Sequence, residues 1–104
     1  MILAFHGFMG SGADFDPLAV RLDVDFEAPD MIGHGTNHSM NPVDYNSNVQ
    51  VDYWIQRIPK GSILIGYSMG GRLALQLATR YPTHFAGLIV IGGTPGLRES
   101  GKII

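Results

Sequence analysis

The sequence predicts an α/β domain with about four parallel strands and three helices. Three observations predict it. Short continuous apolar runs alternate with segments of helical periodicity, joined by short loops. Glycine and proline are abundant, 14 and 6 of 104 residues, and fall in discrete turns rather than in a low-complexity tract. Every distinctive motif follows an apolar run, and in open parallel sheets ligands bind beyond the carboxyl ends of the strands.

Met1 to Phe5 is a continuous apolar run that ends at His6-Gly7, as a buried parallel strand does. Gly7 to Ala13 is a loop of small residues. A helix is expected near Pro17, with Asp16 as its N-cap and Pro17 in the first helical position. Phe15 and Val20 take the staple positions, and Phe15, Leu18, Ala19 and Leu22 predict one buried face. Val24 to Ala28 is expected as a short second strand, and Asp30 to Pro42 as a long polar loop. Asn41-Pro42 repeats the helix start, with Met40 and Tyr45 as its staple. Val51, Trp54, Ile55 and Ile58 form the buried face of this second helix, which Pro59-Lys60-Gly61 ends. Ser62 to Tyr67 is a third strand and Ser68 to Tyr81 a third helix, apolar over a wide arc and stopped by Tyr81-Pro82. Phe85 to Ile91 is a fourth strand.

Composition excludes several functions. A chain of 104 residues allows one domain, and with 45% apolar and 15% charged residues it is globular rather than disordered. No apolar stretch is long enough for a bilayer and no basic-then-apolar leader opens the chain, so a cytoplasmic location and no membrane partner are expected. Cysteine is absent, which excludes a disulfide scaffold and a thiolate nucleophile or metal ligand. Net charge is −2 with no basic cluster, which argues against nucleic acid. The four histidines show no metal-ligand spacing, so no metal is expected; His38 and His84 read as exposed.

Gly66-Tyr67-Ser68-Met69-Gly70 fits G-x-S-x-G between a strand and a helix. A sharp turn there lifts the Ser68 hydroxyl clear of the sheet and sets it at a helix N-terminus, where free N–H groups favour negative charge. The alternative is an ordinary glycine-rich turn. The amides of Phe8 and Met69 are the candidate oxyanion hole. His6 is read as a loop organiser rather than a base, His34 likewise, and Asp30 as a turn or cap residue holding the second loop.

The segments HGFMGSGADF, DMIGHG, GYSMGGRLALQLA and GGTPGL, in this order and spacing, resemble the α/β-hydrolase superfamily. Within it they are similar to the 2-succinyl-6-hydroxy-2,4-cyclohexadiene-1-carboxylate synthases of menaquinone biosynthesis. The arginine after Gly70-Gly71 and the final Gly-Gly-x-Pro-Gly-Leu are the narrower signals. The resemblance implies Ser68 as the triad serine, Tyr67 lining the pocket and Arg72 meeting a substrate carboxylate; Arg98, just past Gly96-Leu97, is a further candidate for that carboxylate, with a solvated surface arginine as the favoured alternative. It implies a lyase that eliminates pyruvate from a small-molecule carboxylate, with no cofactor. Arg72 lies about one helical turn after Ser68, within reach of a shared ligand; a surface ion pair is the alternative. Other α/β-hydrolase activities, ester or carbon–carbon bond hydrolysis, remain open, as does a catalytically inactive half-fold acting as an interaction module.

The superfamily's triad runs Ser, then Asp or Glu, then His. Here Glu99 and His84 are the acid and the histidine remaining after Ser68, and neither matches that order. The expectation is therefore that residues 1–104 form the N-terminal part of a single domain, with the acid, the base and a cap segment lying elsewhere. The resemblance further implies strand order 2-1-3-4, with the fourth strand an open edge. Such an edge invites self-association or a completing chain.

Overall fold

A computed structural model of the chain describes residues 1–32, 34, 35, 37 and 47–92. The elements, in order, are β1 (Ile2–Phe5), a 3-10 turn (Gly12–Phe15), α1 (Asp16–Arg21), β2 (Phe26–Glu27), α2 (Ser47–Ile55), β3 (Ser62–Tyr67), α3 (Met69–Arg80) and β4 (Phe85–Ile91). The strands form one parallel sheet in the order β2-β1-β3-β4, as expected. Ile2 pairs with Ile63 and Phe5 with Gly66, so β1 and β3 end level with one another. Ser62 pairs with Phe85 but Ile63 with Gly87, so Ala86 is an extra residue in β4, a bulge at the start of the edge strand.

The core lies on one face of the sheet. Leu3, Phe5 and Leu64 pack against Val51, Trp54 and Ile58 from the α2 region and Leu73, Ala74 and Leu77 from α3. Phe5 and Trp54 meet edge to face with ring centroids 5.3 Å apart. Ala4 and Ile65 point the other way and are also buried, as central strands of a parallel sheet require. On that second face β4 is open: Ile89 and Ile91 are 51% and 50% exposed.

The first helix departs from expectation. Asp16 is its first residue, not its N-cap, and Phe15 occupies the cap position. The reason is the preceding 3-10 turn, whose Gly12 N–H donates to the Asp30 carboxylate at 2.8 Å and draws the chain into helical geometry early. The expected buried face does not form: α1 contains no buried residue, and Val20, a staple position, is 85% exposed. Its neighbour β2 is two residues long, not five, and offers little surface beyond Phe26, whose ring lies 6.4 Å from that of Phe15.

The second helix ends at Ile55, before the expected Pro59-Lys60-Gly61. A further turn, Arg57 N–H to Trp54 carbonyl at 2.9 Å, carries Ile58 into the core. Its expected start at Asn41-Pro42 and the Met40–Tyr45 staple lie outside the described residues. The third helix ends at Arg80 with Tyr81 as C-cap, one residue from expectation at each end. His84 is half-buried, not exposed, and its Nε2 lies 2.7 Å from the Ile58 carbonyl oxygen. That bond ties the entry of β4 to the end of the α2 region.

Candidate functional site

Ser68 sits between β3 and α3 with φ 54° and ψ −112°, a conformation that costs a non-glycine residue about 1–3 kcal/mol. The surrounding contacts impose it. A Cβ on Gly66 would stand 2.5 Å from the Gly70 carbonyl oxygen and 2.6 Å from Gly71 Cα. A Cβ on Gly70 would run into the carbonyls of Phe5 and His6. Helix α3 thus starts hard against the ends of β1 and β3, and only a tight turn joins β3 to it. Ser68 N–H donates to the Ile91 carbonyl at 3.0 Å, and the Ser68 carbonyl accepts the Arg72 N–H at 3.2 Å. The backbone is held on both sides while the side chain remains exposed at the N-terminus of a 12-residue helix.

The loop after β1 lies directly against this turn. A Cβ on Gly7 would be 3.5 Å from Ser68 Cβ and 3.0 Å from the Tyr67 ring. Gly7 carbonyl accepts the Gly10 N–H at 3.0 Å, which closes a turn through Phe8 and Met9. Met9 holds φ 63°, the second positive value at a non-glycine residue among those described. Phe8 and Met9 side chains are 72% and 86% exposed, so this loop presents apolar surface beside Ser68. Met69, whose amide follows Ser68, is half-buried against the core.

His6 is fully buried beneath the loop. Met31 N–H donates to its Nε2 at 2.9 Å, so that nitrogen carries a lone pair. The proton then sits on Nδ1, 2.8 Å from the Gly7 carbonyl oxygen. One ring therefore satisfies both the loop that abuts Ser68 and the loop after β2. His34 lies edge to face on it at 5.0 Å and on Phe8 at 5.9 Å, and places Nδ1 3.2 Å from the Ile32 carbonyl oxygen. Asp30 accepts the Gly12 N–H through its carboxylate, and its carbonyl accepts the Asn37 side-chain amide at 3.0 Å.

A cavity of about 360 Å³ opens beside the turn, lined by His6, Gly7, Asp14, Phe15, Tyr67 and Ile91. Tyr67 and His6 were expected near a site; Asp14, Phe15 and Ile91 were not. The spacing Ser11-x-x-Asp14 was the available signal, since it is a capping pattern that turns the acid back toward the chain. Ser11 N–H does donate to Asp14 Oδ2 at 3.2 Å. Arg72 is exposed on the first turn of α3 and is not among the lining residues. Arg98 and Glu99 lie outside the described residues, as does the segment after Gly92. Among the described residues, no group of three or more His, Asp or Glu side chains could hold a metal ion, and no helix is long and apolar enough to cross a membrane.

The family model of the alpha/beta hydrolase fold matches residues 1–101. Among curated relatives, the chain is 35% identical to a putative 2-succinyl-6-hydroxy-2,4-cyclohexadiene-1-carboxylate synthase of Bacillus subtilis, over 97% of this chain and 39% of that protein. It is 34% identical to a pimeloyl-[acyl-carrier protein] methyl ester esterase of a Shewanella species, over 90% of this chain and 35% of that protein. Among solved structures, the thioesterase domain from the curacin biosynthetic pathway superposes with a TM-score of 0.73 at 29% identity, covering 95% of this chain and 40% of that one. The chain thus spans under two-fifths of the length of these curated relatives.

Proposed function

Because the chain belongs to the α/β hydrolase fold family, we propose that Ser68 is the reacting group of its site and that the full-length protein is a lyase. The proposed reaction forms a cyclohexadiene carboxylate: a proton is taken from a ring carbon of an enolpyruvyl-bearing cyclohexene carboxylate, the C–O bond to the enolpyruvyl group breaks so that pyruvate leaves, and the electron pair becomes the second ring double bond. The observation that carries the choice of Ser68 is its backbone, held at φ 54° on the N-terminus of α3 with the Gly7 loop against it. In this reading the Phe8 and Met69 amides face the oxygen on which charge develops. Each such donor is worth about 2.7–4 kcal/mol in a dry site. Arg72 pairs with a substrate carboxylate, and Arg98 assists it. Tyr67 walls the pocket, while His6 and His34 hold the loop that carries the Phe8 amide. No cofactor enters the reaction, and the proposed setting is the cytoplasm.

The 34% identity to a methyl ester esterase supports a second reading, ester hydrolysis at the same serine. One assay separates the two. Pyruvate release from the enolpyruvyl-bearing cyclohexene substrate, lost on Ser68→Ala, is the expected result; cleavage of methyl esters without pyruvate release selects the esterase. Under the lyase reading, Arg72→Ala lowers kcat/KM by about 1.5–3 kcal/mol, the cost of a charge-assisted bond. An unchanged kcat/KM removes Arg72 from the site.

A further inference from the structure

The cavity beside Ser68 has an unexpected electrostatic character. Of the six described residues that line it, Asp14 carries the charge, and no Lys or Arg is among those six. His6 cannot balance it in its described state, because its Nε2 accepts the Met31 N–H and the ring is neutral. The carboxylate is not free to swing away. Ser11 N–H holds Oδ2 at 3.2 Å, and Gly10 lies so close that a Cβ there would overlap that oxygen. The rest of the lining is apolar or aromatic: Phe15, Tyr67 and Ile91. A tethered, solvent-exposed negative charge on the wall of a cavity whose described lining is otherwise uncharged disfavours an anion and leaves an uncharged group unaffected.

We propose that Asp14 is a specificity-determining residue: the cavity accepts the uncharged part of a substrate and Asp14 keeps substrate carboxylates out of it. A substrate with one carboxylate then has one productive orientation, its hydrocarbon or ester portion in the cavity and its acid outside. A substrate with a second carboxylate at the buried end is discriminated against. This deepens, and rests on, the reading of Ser68 as the reacting group.

Binding in a Ser68→Ala background of the full-length protein tests it without turnover. The probes are adipate and monomethyl adipate, which share a chain and one carboxylate and differ in the charge of the other end. The half-ester is expected to bind about fivefold more tightly, the upper range for a solvent-screened charge. Asp14→Asn keeps an oxygen to accept the Ser11 N–H and removes the charge; it is expected to bring the two affinities within about twofold. Asp14→Glu, which restores the charge, is expected to retain the preference. Salt near 1 M, where screening acts over about 3 Å, should compress the preference as the asparagine variant does. A preference that survives Asp14→Asn, or binding of neither probe, overturns the proposal. Failure of the Ser68 reading shows separately, as absence of fluorophosphonate labelling at Ser68 in the unmodified protein.

Discussion

Ser68 holds a positive φ because glycines at 66 and 70 let β1, β3 and α3 converge on one point. Gly70→Ala therefore places a methyl group into the carbonyls of Phe5 and His6, and backbone cannot step aside as a side-chain tip can. We expect a loss of more than about 2 kcal/mol by denaturant titration, in the range of overpacked core positions. His6 offers a second test. His6→Ala leaves the Met31 N–H and Gly7 carbonyl without their partner, at about 1–3 kcal/mol for each buried group. Met9 offers a third with opposite sign: at φ 63° and almost fully exposed, Met9→Gly relieves strain without losing burial and should stabilise by about 0.5–1 kcal/mol. The positions of Ser68 and its glycines could be read from the sequence, since G-x-S-x-G at a strand–helix junction encodes a backbone requirement. Met9 could not, and for Asp14 the spacing Ser11-x-x-Asp14 signalled a turn but not the cavity beside it. Nothing in a methionine announces a left-handed turn, and the placement of Asp14 depends on how the Ser11 turn folds back toward β1.

The helices divide by what they pack against. Helix α3 covers the centre of the sheet and buries Leu73, Ala74 and Leu77. Leu77→Ala should cost about 2–5 kcal/mol, measured as a shift in the denaturant midpoint at unchanged slope. Helix α1 buries no residue, so Val20→Lys should change stability by no more than about 0.5 kcal/mol despite the staple contact expected of it. Periodicity reports which face of a helix is apolar, not whether a surface awaits it. For α3 the surface exists, because β1, β3 and β4 lie beneath it. For α1 the two-residue β2 provides little. The same reasoning explains the strands: β3 and β4 were read to the residue because continuous apolar runs bounded by turns define them, whereas Val24 to Ala28 carries too few apolar residues to extend β2.

Across the molecule, the order β2-β1-β3-β4 sets β1 and β3 side by side at its centre and brings their carboxyl ends, and with them His6, Gly7 and Ser68, together. Strand–helix alternation was sufficient to read the parallel pairing through crossovers, whereas the strand order was implied by the resemblance to the α/β-hydrolase superfamily. Among the described residues, strand β4 has one neighbour, β3, and exposes Ile89 and Ile91 on one face. We propose that this edge recruits a further strand, from another copy or a completing chain. Light scattering on the 104-residue chain should then show self-association that Ile89→Lys weakens; a clean monomer contradicts it. The central claim is that Ser68 reacts, and covalent labelling of the full-length protein by a fluorophosphonate, mapped by mass spectrometry, tests it. The account predicts one adduct, on Ser68, abolished by Ser68→Ala. An unlabelled Ser68 in the folded protein, or labelling that persists in Ser68→Ala, would contradict it.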